Sequence, residues 1–211
     1  MIDKPYIREQ IVQIGKRLYS QGYIVGAEGN ISFRIEKGLL ITPSGKCKGE
    51  MAPDEIVEVY LSDNDQPFAS SELPFHQSIY SNRPDVMAVI HAHPATVTAM
   101  AITGQKMDKI FLPEMIHTTG PIGWVDYAPP GTVLLAQEIG KEIIEHNVVI
   151  LENHGAISVG KTLEEALYRI EYLERYCKVL LMAKMIGPVN YLSDGQINTL
   201  YDLIKERNKE I

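Results

Sequence analysis

Residues 86–94 read Val-Met-Ala-Val-Ile-His-Ala-His-Pro, and this stretch decides the fold. An apolar run that ends in proline predicts a buried strand over Val86–His93, because proline cannot continue the hydrogen-bond ladder of a sheet. Side chains alternate between the two faces of a strand, so His91 and His93 share one face while Ala92 points away. The pair predicts a site for zinc or another divalent metal at the rim of the sheet, with a hydrogen-bonded rim pair as the alternative.

A second apolar run, Val148–Leu151, ends in the polar residues Glu-Asn-His-Gly at 152–155. We expect His154 to join the histidine pair, because three imidazoles from two strand ends leave an open position on a metal, as a catalytic site requires. Glu72 is the expected fourth group. Its carboxylate can ligate a metal, act as a general acid or base, or only favour the N-terminus of a helix.

The other three histidines lack ligand-like spacing. His76 follows Glu72 by one helical turn, and we expect it to pack against its neighbours or orient them. His117 and His146 are predicted to be surface or core residues.

Three short segments are rich in small hydrogen-bond donors, namely Gly29–Ser32, Thr42–Gly45 and Ser70–Ser71. Exposed N–H groups and hydroxyls of this kind can hold an anion, and the third segment opens a predicted helix. Taken singly, each is also an ordinary turn or cap. Neither GxxxxGK[ST] nor GxGxxG occurs, so a nucleotide loop is not expected.

Helical spacing of apolar residues predicts four main helices, over residues 5–21, 70–81, 132–146 and 162–186. The last begins at a capping box of Thr162 and Glu165. The stretch 113–130 holds four prolines and is predicted to be a loop. Because helices and strands interleave without a regular βαβ repeat, we expect one α/β domain over residues 1–211 with a mixed sheet.

Charge and composition narrow the functional class. The chain has 20 basic and 27 acidic residues and no basic cluster, so nucleic acid is not an expected partner. No apolar run reaches the ~18 residues of a membrane span. The two cysteines, Cys47 and Cys177, form no CxxC motif, which suits a cytoplasmic protein. Lys46 and Lys48 are only two lysines, so we expect backbone amides and hydroxyls to make most of the contacts to any bound phosphate.

Five ordered motifs resemble those of the class II aldolase/adducin family: GNIS at 29–32, LLITPSG at 39–45, SSE at 70–72, HAH at 91–93 and ENHGAISVG at 152–160. The similarity runs from about residue 7 to residue 185. It implies a single α/β/α domain whose central, mostly antiparallel sheet is flanked by helices. It also implies a C4 homotetramer with its sites at subunit interfaces.

The resemblance implies one Zn²⁺ per subunit, held by Glu72, His91, His93 and His154. It further implies a phosphate pocket formed by Gly29, Asn30, Ser44, Gly45, Ser70 and Ser71. The implied activity is that of a zinc-dependent aldolase that cleaves a ketose 1-phosphate, such as L-fuculose 1-phosphate, to dihydroxyacetone phosphate and L-lactaldehyde. Zinc acts there as a Lewis acid toward the enediolate left when the C3–C4 bond breaks, and Glu72 is the expected proton-transfer group.

One position departs from the family pattern. Family aldolases acting on L-fuculose 1-phosphate place a tyrosine after the zinc histidines, where it protonates the aldehyde oxygen, and Glu114 stands at the matching position here. A protonated carboxyl can serve as that acid, so Glu114 is a candidate catalytic residue. It can equally mark another substrate or be a solvated loop residue. Tyr191 or Tyr201 is a further candidate for reaching a neighbouring subunit's site.

Members of this family catalyse several different reactions with the same fold, so other activities remain open for this chain. An aldolase for 5-deoxyribulose phosphate and a dehydratase for methylthioribulose 1-phosphate are the enzyme alternatives. Ribulose-phosphate 4-epimerases typically carry aspartate where this chain has Glu72. An adducin-type scaffold is the non-enzyme alternative, and the four intact ligand groups argue against it.

Overall fold

The central sheet is the frame of the structure, a computed structural model that describes residues 3–60 and 66–207. Within these residues seven strands form the sheet: β1 (Asn30–Ile35), β2 (Gly38–Ile41), β3 (Val57–Tyr60), β4 (Ala88–Ala92), β5 (Ile122–Val125), β6 (Val148–Leu151) and β7 (Gly155–Gly160). Their order is β3-β2-β1-β4-β7-β6-β5. Only the β5–β6 pair is parallel, so the sheet is mostly antiparallel, as predicted.

Helices cover both faces of this sheet. They are α1 (Lys4–Ser20), α2 (Leu73–Asn82), α3 (Ala95–Ile102), α4 (Glu114–Thr118), α5 (Val133–Glu142), α6 (Leu163–Ile186) and α7 (Asp194–Arg207). One hydrophobic core joins α1, α3, α4 and α6 to one face of the sheet, and a second core joins α2 and α5 to the other. The result is a single α/β/α domain, as the sequence predicted.

The quoted stretch forms the middle strand, β4, whose five residues are all buried. Val89 faces the α2–α5 core, whereas Ala88 and Ile90 face the α1–α6 core. A strand that is buried on both faces needs apolar residues at successive positions, which explains the continuous apolar run before His91. Register then sets the site, because His91 lies opposite Asn30 of β1 and Ile157 of β7.

A buried carboxylate fixes the end of β4. Helix α3 starts directly after His93 and Pro94, and Glu174 of α6 accepts hydrogen bonds from the N–H groups of Thr96 and Val97 at 3.0–3.1 Å. A negative charge at a helix N-terminus is stabilising. Glu174 therefore holds the segment that carries the histidine pair.

Several predicted boundaries differ from the structure. The helix predicted from residue 70 begins at Leu73, because Pro74 suits the first turn and leaves the two serines outside it. The helix predicted over 132–146 ends at Glu142. The predicted loop 113–130 contains α4 and β5, which are too short to show a period in the sequence.

Two further expectations concern compartment and redox state. Among the described residues, none of the helices combines the length and apolar character that a bilayer crossing needs. Cys47 and Cys177 are both free thiols.

Candidate active site

Three histidine rings meet at the rim of the sheet, at the end of β4 and in the turn between β6 and β7. The Nε2 atoms of His91 and His93 lie 2.9 Å apart. The ring of His154 lies 4.7 Å from the ring of His91 and 5.0 Å from the ring of His93, measured between centroids. The structure thus brings together the three histidines that the sequence singled out, in a group able to hold a metal ion.

The β6–β7 turn is shaped to let these rings approach. Asn153 has a φ of 56°, a left-handed conformation that asparagine tolerates better than most residues. At Gly155 a Cβ atom would lie 2.4 Å from Cδ2 of His93. A side chain there would displace the His93 ring, so glycine is required at this position.

Hydrogen bonds on the outer nitrogens set which ring nitrogen faces the cluster. Nδ1 of His91 donates to the carbonyl of Ala156 at 3.0 Å, and Nδ1 of His93 donates to Glu28 Oε2 at 2.7 Å. In a neutral ring the other nitrogen, Nε2, then presents a lone pair. Two lone pairs that face each other at 2.9 Å repel unless a cation lies between them. Histidines that bind a metal are arranged in this way, with Nε2 toward the metal and Nδ1 in an outer hydrogen bond.

Burial keeps the rings of His91 and His154 in the neutral form that a metal requires. It lowers the pKa of His91 well below the ordinary histidine value, and the charges of His93 and His154 lower it further. Burial also lowers the pKa of His154, against the opposing effect of Glu72. The candidate ligand atoms of the three histidines lie within 4.8 Å of one another, and imidazole nitrogen is a common ligand of zinc. The donor set therefore fits a zinc ion.

Glu72 completes the cluster. It occupies the N-cap position of α2, but its side chain makes no capping hydrogen bond. Instead Oε2 lies 3.3 Å from Nε2 of His91, and Oε1 lies 3.6 Å from Nε2 of His154. Oε1 is buried and has no hydrogen-bond partner among the described residues. The interpretation of Glu72 as only a helix-terminus charge is therefore wrong, since the carboxylate faces the three imidazoles.

A chain of buried hydrogen bonds supports the carboxylate of Glu72. Asn30 Nδ2 donates to Glu72 Oε2 at 2.7 Å, and Asn30 Oδ1 lies 2.5 Å from Nε2 of His76. Ser32 Oγ lies 2.7 Å from Nδ1 of His76 and 2.8 Å from the hydroxyl of Tyr80. Burial lowers the pKa of His76 and so keeps its ring neutral, with one N–H donor and one acceptor nitrogen. All four hydrogen bonds can then form in one direction: each group donates to the next, from Tyr80 through Ser32, His76 and Asn30 to the carboxylate of Glu72.

The small-donor segments surround the same space. A cavity of about 280 Å³ is lined by all six residues of the predicted phosphate pocket, Gly29, Asn30, Ser44, Gly45, Ser70 and Ser71. Glu72, His93 and His154 line it as well. The carboxamide of Asn30 is already bonded on both sides, so its side chain serves Glu72 in this structure, while Gly29 and Gly45 make the turns with φ values of 68°.

Two charged residues that line the cavity, Glu28 and Lys48, were not predicted as site residues. Glu28 also bonds the backbone N–H of Val25 at 2.7 Å, which fixes its carboxylate against His93. Lys48 is only 2% exposed and lines the cavity, a position that the sequence did not predict. A single sequence gives no signal for either, because both act across turns.

Comparison with known proteins places this geometry in a family. The family model for the class II aldolase and adducin N-terminal domain matches residues 9–181. The chain belongs to the class II aldolase/adducin family. It is thus a lyase of the class II aldolase superfamily, whose aldolases depend on a metal ion, and His91, His93 and His154 can bind one.

Named relatives of this family member carry two different activities. The 3-oxo-tetronate 4-phosphate decarboxylase of Pectobacterium atrosepticum is 33% identical over 184 residues, 83% of this chain and 84% of its own. The L-fuculose phosphate aldolase of Methanocaldococcus jannaschii is 32% identical over 182 residues, 85% of this chain and 98% of its own. A decarboxylase was not among the activities predicted from the sequence.

Solved structures agree with the fold. Escherichia coli YgbL, described with three candidate activities (aldolase, epimerase or decarboxylase), has a TM-score of 0.86 at 28% identity and covers 93% of this chain and 98% of its own. The L-fuculose-1-phosphate aldolase of Thermus thermophilus has a TM-score of 0.79 at 28% identity, with 90% and 100% covered.

The remaining candidate residues of this family member lie away from the cavity of a single chain. Glu114 is the exposed first residue of α4, beside Tyr172, whose pKa is raised to about 12 by burial and by the Glu114 charge. Tyr191 packs on Phe111, and Tyr201 lies on α7. None of the three predicted residues lines the cavity, so their roles stay predictions.

His146 and His117 also lie outside the histidine cluster. Nδ1 of His146 bonds the carbonyl of Glu142 at 2.9 Å, and His117 is exposed on α4.

Proposed function

We propose that this family member is a zinc-dependent aldolase that cleaves a ketose 1-phosphate, L-fuculose 1-phosphate or a similar deoxy sugar phosphate, to dihydroxyacetone phosphate and an aldehyde. One observation carries the proposal: two histidines of the cluster (His93 and His154), Glu72 and three donor-rich turns line a single cavity of about 280 Å³. A sugar phosphate needs both halves of such a site, one for its carbonyl and hydroxyl oxygens and one for its phosphate.

His91, His93 and His154, with Glu72, would hold the zinc ion. When bound, zinc supplies Lewis-acid stabilisation of the negative charge that develops at the carbonyl oxygen during bond cleavage. The chain's own contribution is an oriented ligand set, because the Ala156 carbonyl and Glu28 fix the rings of His91 and His93 through their Nδ1 atoms.

Glu72 is proposed to move the proton of the reaction. In the cleavage direction the C4 hydroxyl loses a proton, the C3–C4 electron pair remains on the C3 side, and C3 then gains a proton to give dihydroxyacetone phosphate. Oε1 of Glu72 is suited to this transfer because it faces the cluster without a hydrogen-bond partner among the described residues. Asn30 holds the other oxygen in place.

The turns around the cavity are proposed to bind the phosphate. Ser70 and Ser71 precede α2, and the turns at Gly29 and Gly45 present backbone N–H groups to the same space. Backbone amides and hydroxyls arranged in this way form an anion-binding concavity. Binding of the phosphate fixes the substrate so that its reacting carbons lie beside Glu72.

A decarboxylase is the second candidate, and the replacement of the family tyrosine by Glu114 favours it. Decarboxylation of a 3-oxo-tetronate 4-phosphate breaks a C–C bond beside a carbonyl, leaves its electron pair on the same three-carbon phosphate and releases CO₂. It needs no acid at an aldehyde oxygen, which is the task of the missing tyrosine. Both reactions yield dihydroxyacetone phosphate.

Assembly as a homotetramer is also proposed, with sites at subunit interfaces. Phe68, Val133 and Leu134 are 77%, 67% and 55% exposed, and Val133 lies beside the serines in a neighbouring depression. Exposed apolar side chains beside a site are typical of surfaces that another protein covers. A neighbouring chain there is suited to deliver Glu114 or a C-terminal tyrosine to the cavity.

The test is product analysis with two substrates. Zinc-loaded protein is incubated with L-fuculose 1-phosphate and, separately, with 3-oxo-tetronate 4-phosphate, with EDTA-treated protein as the control. Zinc-dependent release of dihydroxyacetone phosphate and L-lactaldehyde from the first supports the aldolase. Release of CO₂ from the second alone supports the decarboxylase. No release from either substrate by protein that holds zinc overturns both and leaves the 5-deoxyribulose-phosphate aldolase and dehydratase alternatives.

A further inference from the structure

Lys48 places a buried ammonium group at the wall of the cavity. Its side chain is only 2% exposed, although lysine is rarely buried without a charged partner. Its backbone packs against α1, where a Cβ atom at Gly15 would lie 2.4 Å from the Lys48 carbonyl oxygen. The position of Lys48 is therefore fixed by the fold.

The ammonium ties two of the donor-rich turns together. Nζ donates to the carbonyl of Ala27 at 2.6 Å and to the carbonyl of Lys46 at 2.9 Å. Ala27 precedes the turn at Gly29, and Lys46 follows the turn at Gly45. An ammonium group has three N–H donors, so one remains after these two bonds.

Nothing in the described part of the chain neutralises this charge directly. Among residues 3–60 and 66–207 no carboxylate forms an ion pair with Lys48. The two acidic residues that line the cavity are engaged elsewhere, Glu28 with His93 and Glu72 with Asn30. Burial lowers the pKa of Lys48, while the charge of Glu72 opposes that effect. A buried charge held by carbonyls alone is costly unless an anion joins it.

We propose that Lys48 is the cationic anchor of the anion site, where its third N–H and its charge bind the phosphate group of the substrate. This inference rests on the proposed function only in that the substrate is a phosphate ester, which both candidate reactions share. Lys48 then does two things at once. It holds the Gly29 and Gly45 turns in register, and it supplies the positive charge that backbone amides and hydroxyls lack.

The experiment measures binding of inorganic phosphate to zinc-loaded protein by calorimetry, without turnover. Lys48→Met removes the charge at similar volume, and Lys48→Arg keeps it. Lys46→Met is the matched control, since Lys46 is exposed and pairs with Glu55 at 2.8 Å. Acetohydroxamate, a metal chelator without phosphate, is the second probe. We expect phosphate binding to weaken about tenfold or more in Lys48→Met, and to change little in the other two variants. Acetohydroxamate binding should stay the same in all of them.

A measurement on the wild-type chain covers the case in which Lys48→Met does not fold. The ¹⁵N signal of the Lys48 ammonium, assigned by its loss in Lys48→Arg, should shift when phosphate is added. Phosphate binding by Lys48→Met at wild-type strength, or an unmoved Lys48 signal, would overturn the inference and leave Lys48 as a clamp of the two turns. If phosphate binding depends on Lys48 but neither candidate substrate is cleaved, the proposed function fails and the anchor stands.

Discussion

The orientation of individual side chains decides whether the rim of this sheet can hold a metal. His91 and His93 are each fixed through Nδ1, one by a backbone carbonyl and one by the carboxylate of Glu28. Both therefore turn Nε2 toward His154 and Glu72. A side chain that donates through its outer nitrogen is a stronger and better oriented ligand than a free one.

Glu28→Ala is expected to weaken zinc affinity by about 10- to 100-fold, because His93 loses the partner that fixes its tautomer and ring plane. Competition with a chelator of known affinity measures the change. Glu36→Ala is the matched control, since Glu36 is an exposed carboxylate in the turn between β1 and β2. Equal zinc affinity in the Glu28 variant and wild type would show that the 2.7 Å contact has no role in metal binding.

Glu72→Gln is expected to retain zinc yet lose turnover by about 100-fold or more, the usual range for removal of a general acid or base. Three histidines remain to hold the metal, and the amide keeps the size of the carboxylate but cannot take up the proton. The assay compares turnover at equal zinc occupancy. Unchanged turnover would remove Glu72 from the proton-transfer role.

At the scale of elements, the pairing of β1 with β4 builds the support behind Glu72. Asn30 and His91 are direct partners in this register, so the carboxamide of Asn30 reaches Glu72 beside the histidine. Helix α2 contributes Glu72, His76 and Tyr80, spaced by four residues and hence on one side of the helix. Strand β1 and helix α2 thus supply all the residues of the hydrogen-bond chain from Tyr80 to Glu72.

Substitutions in the hydrogen-bond chain from Tyr80 to Glu72 should reduce stability and turnover more, the closer the substituted residue lies to Glu72. Tyr80→Phe removes only the last hydroxyl, whereas His76→Phe leaves Asn30 Oδ1 without its donor and frees the amide to turn away from Glu72. We expect His76→Phe to cost about 1–3 kcal/mol of unfolding free energy and to lower turnover at equal zinc occupancy, with a smaller loss of both for Tyr80→Phe. Urea unfolding and steady-state assays measure the two. If His76→Phe reduced stability but left turnover untouched, the hydrogen-bond chain would be structural only.

Much of the element pattern could be predicted, because it is local. The apolar run into His91 and His93 gave the central strand, and Thr162 caps the long helix α6 as its spacing indicated. Short elements were missed, since four residues of β5 or five of α4 carry no readable period. β7 was not predicted as a strand, although it lies within the ENHGAISVG motif.

The supporting contacts could not be predicted, because each joins residues far apart in sequence. Glu28 and His93 are separated by 65 positions, and Ser32 and His76 by 44. No spacing rule connects such pairs, since only the register of the sheet brings them together. The ligand histidines were identifiable because His91 and His93 stand two positions apart at the end of one apolar run.

For the whole molecule, the three-layer fold explains why the site lies at one rim. Helices pack on both cores, and the cavity is lined by residues of the turns after β4 and β6, the turns beside β1 and β2, and the start of α2. Glu114 lies outside this cavity in a single chain. A role for Glu114 in this cavity therefore requires that a neighbouring subunit supply it.

Mixed assemblies test that statement. If Glu72 of one chain and Glu114 of its neighbour serve one site, coexpressed Glu72→Gln and Glu114→Gln chains should regain about a quarter of wild-type activity, because random pairing restores that share of interfaces. Light scattering should give about four times the 23.6 kDa chain mass. A mixture as inactive as its parents, or a monomer in solution, would place Glu114 outside catalysis by a neighbour.

The most direct test of the central claim is a zinc titration of the metal-stripped chain, with release of dihydroxyacetone phosphate from L-fuculose 1-phosphate as the readout. We predict that activity rises linearly and levels off at one zinc per chain, and that the His154→Ala chain shows no such rise. Equal activity with and without zinc, or a rise that persists in His154→Ala, would contradict a zinc-dependent site formed by the three histidines.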